Sequence, residues 1–133
     1  MLNNMMGVNR KLRNSINVPA ASQVTVPLDP WDRIEGPVGV VAFRATVPAA
    51  SVGDIFASMM VGEANPVPTA LISVERAVGA GPQIEDPVYM GAGSRGNRIF
   101  ITLRNIDAAN AAVVTFDVEV RNKYNGRERM IAQ

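Results

Sequence analysis

The run Gly91-Ala92-Gly93-Ser94-Arg95-Gly96 matches the dinucleotide fingerprint G-x-G-x-x-G letter for letter. That motif works where it opens a helix whose N-terminus receives a pyrophosphate. Here an alternating, strand-like segment follows, so the run reads as a flexible turn between two strands. No Lys-Ser or Lys-Thr closes it, which excludes a phosphate loop. Asp29, Asp32 and Glu35 cluster around Trp31, and oxygen ligands so spaced suit Ca²⁺, yet the Gly and the final Glu of an EF-hand loop are missing. The segment reads as a solvated turn with Trp31 packed over one end of the fold. The competing reading is a sugar- or receptor-binding patch made of Asp29, Trp31 and Asp32, an aromatic platform beside carboxylates. Glu85 and Asp86 are adjacent, so in a strand they point to opposite faces and do not converge for acid–base work. With no His and no Cys in the chain, the near-neutral proton shuttle, thiolate chemistry and the common zinc sites are all removed. No catalytic residue, metal ligand or cofactor is assigned, and the expectation is a protein that is not an enzyme.

Charge is the second source of candidates. Residues 1–28 carry Arg10, Lys11 and Arg13 with no acid, giving +3, and residues 121–133 carry another +3 through Arg121, Lys123, Arg127 and Arg129 against Glu128. Residues 29–120 sum to −5. Basic ends on an acidic body are either solvating tails or contacts for an anionic partner, whose affinity comes from counterion release. The residues taken forward as candidate contacts for nucleic acid or an acidic partner are Arg10, Lys11, Arg13, Lys123, Arg127 and Arg129. No aromatic residue interleaves with the first three, which argues against stacking on single-stranded bases.

The elements that must position these residues are strands. Val114 to Arg121 alternates strictly and places Val114, Phe116, Val118 and Val120 on one face. Asn97 to Arg104 repeats the pattern with Ile99, Ile101 and Leu103 inward, although Phe100 spoils the outer face. Val38 to Val47 is apolar on both faces apart from Arg44 and Thr46, as for a strand deep in a sandwich. Gln23 to Leu28 reads as an edge strand because of Pro27. Ala70 to Arg76 is a strand opened by Asn65-Pro66-Val67-Pro68, Ile84 to Met90 is a weaker one, and Asp54 to Val61 is assigned to strand despite its Ala and Met content. Residues 105–111 form a loop or short helical turn. About seven short strands with Gly and Pro turns indicate an all-β antiparallel sandwich, a jelly roll of seven to eight strands. The chain divides into a basic N-terminal arm over 1–20, a sandwich over 21–121 and a basic tail over 122–133. At 133 residues one core is expected, and 47% apolar content is enough to bury it. The opening residues lack the apolar run of a secretory signal, and no stretch approaches a membrane span.

A basic arm, then Val/Ala/Thr-rich strands over 22–121 with long Pro- and Gly-containing loops, resembles the single jelly-roll capsid and capsid-associated proteins of small icosahedral viruses and phages. The resemblance is one of architecture and spans most of the chain. It implies a virion component assembled in the host cytoplasm, a subunit that joins symmetric copies of itself and other capsid proteins with its basic termini toward the genome or an acidic neighbour. In that topology the first and last strands are antiparallel neighbours, so both basic ends are expected at one pole.

Overall fold

A computed structural model describes residues 9–28, 32–48, 55–75, 80–84 and 86–123, with the backbone alone at Asn9 and Lys123. Nine strands follow one another: β1 (Asn9–Val18), β2 (Gln23–Thr25), β3 (Val38–Val47), β4 (Ile55–Val61), β5 (Ala64–Leu71), β6 (Ser73–Val74), β7 (Tyr89–Ser94), β8 (Ile99–Asn105) and β9 (Ala112–Lys123). They form two sheets packed face to face as a β-sandwich. The first runs β1-β9-β3, with the short β6 and the longer β7 sharing the far edge of β3. The second runs β2-β8-β4-β5. All pairings are antiparallel except β3 with β6.

Period-two alternation explains which residues meet between the sheets. Val41, Phe43, Ala45 and Val47 of β3 and Val114, Phe116, Val118 and Val120 of β9 face Ile55, Ala57, Met59 and Val61 of β4 and Ile99, Ile101 and Leu103 of β8, all buried. Burying a Phe or Leu side chain stabilises by roughly 1.5–3 kcal/mol, so this single cluster is the main source of stability.

Several expectations are corrected. Residues 9–18, assigned to an arm, are strand β1, paired along its whole length from Asn9 opposite Arg121 to Val18 opposite Ala112. Its Leu12, Ile16 and Val18 pack on the core from one face of the strand, a short pattern hidden among Asn, Ser and Arg. Pro66 and Pro68 do not precede their strand but lie inside β5, tolerated because β5 is the outer edge of its sheet and pairs irregularly with β4. The strand expected over 84–90 begins only at Tyr89 and continues to Ser94. Thr46, one of the two polar residues of the β3 run, is fully buried, and its hydroxyl donates to the carboxylate of Glu75 just after β6.

Candidate functional site

The register of β1 on β9 brings the start of β1 and the end of β9 to one end of the first sheet. There the candidate cations of β1 meet carboxylates. Arg10 Nη2 lies 2.5 Å from Glu35 Oε2, and Lys11 Nζ lies 3.7 Å from Glu119, which also holds Arg121 at 2.8 Å. Arg13 donates from Nε and Nη2 to the two oxygens of Asp117 at 2.6 and 3.0 Å. That bonding raises the Arg13 pKa above its ordinary value. Exposed pairs of this kind contribute about 0–1 kcal/mol each, so their main effect is to neutralise the face and fix side-chain direction. Lys11, Arg13, Arg44, Ala42, Val88, Asp117 and Glu119 surround a shallow groove of about 180 Å³ on this outer face. The backbone of Lys123 stands opposite Val38, and Arg127 and Arg129 lie outside the described residues. The partner acids were missed at the sequence level. Alternation puts Asp117, Glu119 and Arg121 on one outward face, but only the register of β1 reveals what stands opposite.

Asp29 and Trp31 of the proposed ligand patch also lie outside the described residues. Asp32 is held by Arg98 at 3.3 Å, whose guanidinium carbon sits 5.0 Å from the centre of the Phe100 ring. Its carbonyl accepts from Ile99 N, Ile34 N donates to Asn97 O, and Gly96 N donates to Ile34 O. The segment is therefore stitched to the start of β8, with Ile34 buried. The buried Asn122 completes the closure by accepting from the N–H groups of Glu35 and Gly36 at 2.9 and 3.1 Å. Among the described residues, no group of three or more His, Cys, Asp or Glu side chains is placed to hold a metal ion.

The glycine run serves packing. Gly91 and Gly93 belong to β7 and not to a turn. A Cβ at Gly91 would lie 2.6 Å from Pro66 Cγ, and one at Gly93 2.6 Å from Val61 Cγ1, so only glycine lets β7 lie this close to the second sheet.

The outer face of the second sheet carries a larger groove, about 410 Å³, that no sequence motif announced. Phe56, Pro68 and Ile106 supply apolar walls, and Gln23, Thr69 and Arg104 a polar rim. On its floor Ser58 and Thr102 bond hydroxyl to hydroxyl at 2.5 Å across β4 and β8. The signal was the alternation that sends Arg104, Thr102 and Phe100 outward. It could not say that Phe56 and Ile106 would stand beside them.

The geometry defines the protein by class as an all-β sandwich. No family model and no curated protein matches the chain. Among solved structures it is similar to a chain described under "Bacillus endospore appendages form a novel family of disulfide-linked pili", at 16% identity over 89% of this chain and 88% of that one, with a TM-score of 0.49.

Proposed function

We propose that the chain is a non-catalytic structural subunit of the single jelly-roll kind, a capsid or capsid-associated protein that assembles with copies of itself in a virion. The observation that carries this reading is the strand order. Taking β7 as the far strand of the first sheet, the sheets run β1-β9-β3-β7 and β2-β8-β4-β5. Apart from the β4–β5 hairpin and the short β6 insertion, each step along the chain crosses from one sheet to the other. Eight strands so arranged fit a double-sheet jelly roll, an architecture used by viral capsid domains among others.

The surface supports assembly in particular. Val38, Val88 and Met90 are exposed on or beside the first sheet, and Met60, Phe100 and Ile106 on the second. Apolar residues on both broad faces favour burial against neighbours. Contact with nucleic acid or an acidic partner falls in this reading to Lys123, Arg127 and Arg129, because the cations of β1 already have carboxylates. Sedimentation velocity over a concentration series tests the proposal. The average mass should rise reversibly with concentration, and a chain that stays monomeric at the highest attainable concentration overturns it.

A further inference from the structure

Two open sheets leave four edges, and three of them are blunted. β2, at one edge of the second sheet, is three residues long. β5, at its other edge, carries Pro66 and Pro68 and shifts register against β4. The far edge of the first sheet is shared by the two-residue β6 and by β7, which leans on β5. There the Tyr89 hydroxyl donates to Leu71 O at 3.0 Å, and a Cβ at Gly91 would lie 2.6 Å from Pro66 Cγ. The fourth edge, β1, is different. It is ten residues long, contains neither Pro nor Gly, and pairs with β9 without a register shift. Among the described residues no strand lies along its other side. Ser15 N–H donates to the side-chain oxygen of its own neighbour Asn14 at 2.8 Å, a local bond of the kind that stands in for a ladder partner. Lys11 and Arg13 are charges of the type that blunts an edge, but they are drawn to Glu119 and Asp117 of β9. A long, regular edge strand is a template for another strand.

We propose that β1 pairs antiparallel with β1 of a second copy of the chain across a two-fold axis, joining the two first sheets into one. The inference rests on the self-assembly reading and adds a contact that performs it. An axis normal to the sheet keeps both core faces on the same side, so opposed residues must share a face, and the axis passes where one residue meets its own copy. Side-chain chemistry selects Asn14. With the axis there, Leu12 stands opposite Ile16, each only partly buried in the single chain. Arg13 then faces Ser15, and Lys11 faces Asn17. An axis at Arg13 would oppose two guanidinium groups, and one at Leu12 would oppose Lys11 and Arg13; like charges directly opposite destabilise a sheet. An axis at Ser15 shortens the ladder by two residues and sets Ile16 against Asn14. The contact is isologous, so it closes a dimer and leaves the exposed apolar residues of the broad faces for further neighbours.

Cysteine cross-linking tests this because the chain has no Cys of its own. Full-length Asn14→Cys, oxidised alone, should form a covalent dimer, since opposed residues of antiparallel strands have Cα atoms about 4.5–5.5 Å apart, within disulfide reach. Lys11→Cys should give far less, although the Lys11 side chain is 78% exposed, because its copy would stand about 20 Å along the ladder. Equal cross-linking of the two variants overturns the axis at Asn14. No Asn14→Cys cross-link under conditions where the unmodified chain sediments as an assembly overturns this contact but leaves the assembly reading standing, whereas a strictly monomeric unmodified chain removes both. Charge changes at the exposed Asn17 read the register a second way. Asn17→Glu sets an acid opposite Lys11 twice per dimer and should lower the dimer dissociation constant at least about twofold, and Asn17→Lys should raise it at least as much. Shifts that are absent or in the same direction, with both variants folded by circular dichroism, overturn the pairing of Lys11 with position 17.

Discussion

Asp107 shows how single polar residues organise the loop between β8 and β9. Its carboxylate accepts from the N–H groups of Ala109 and Asn110 at 2.8 and 2.7 Å, and these bonds lower its pKa below the ordinary value of 3.8. A carboxyl whose folded pKa is depressed adds stability at pH above its unfolded value and loses it as pH falls through the folded one. Asp107→Asn should therefore cost stability most at neutral pH and converge with the unaltered chain as pH falls below the ordinary Asp range, which flattens the acid limb of the stability curve, as urea unfolding across pH would record. Next to it the buried Asn105 uses its amide fully, donating to Val18 O and Asn110 O and accepting from Asp107 N. The sequence places Asn and Asp in this loop, where such side chains cap backbone groups. Which carbonyl Asn105 would reach, 87 residues back at Val18, is a matter of the β1–β9 register.

Strand β7 is the element whose sequence most invites a wrong reading. Its glycines resemble a nucleotide motif, yet they are the contact surface against Pro66, Met59 and Val61. Gly91→Val should cost about 1–3 kcal/mol in denaturant unfolding, the usual penalty of overpacking. A Cβ at Gly96 would meet nothing within 4 Å, but the φ of +87° there makes any replacement strained in backbone and not in packing. If the run were instead a ligand loop, Gly91→Val would abolish a nucleotide affinity and leave stability unchanged, and equilibrium unfolding separates these outcomes. Strands β8 and β9 were legible because alternating apolar and polar residues have one physical reading when one face is buried, and β3 because a run apolar on both faces suits a strand deep in a sandwich. Strands β5 and β7 were not, because Pro and Gly carry a meaning set by position at an edge or by close approach of the other sheet.

For the whole molecule, the consequence of pairing β1 with β9 is that the basic N-terminal segment is part of the body. Deleting residues 1–18 removes an edge strand and uncovers the flank of β9, so it should lower the denaturant midpoint sharply, whereas deletion of a true arm would leave it unchanged. Partner binding is better probed by changing Lys123, Arg127 and Arg129 together to Gln. Against nucleic acid this should weaken binding about equally across sequences and reduce the salt slope by roughly 2–3. A slope that stays unchanged would remove these residues as phosphate contacts.

Sequence alone determined that the chain is all-β, with a core drawn from alternating Val, Ile, Leu and Phe and with no His or Cys chemistry, because period-two burial and residue inventory are local properties. It also carried the polarity of charge along the chain. Tertiary structure decided that the N-terminal cations are matched by Glu35, Asp117 and Glu119, that the glycine run is a packing surface, and that Phe56, Arg104 and Ile106 line one groove on the second sheet. These are long-range facts: the register between strands far apart in the chain follows from how the two sheets close on each other, which no local pattern encodes.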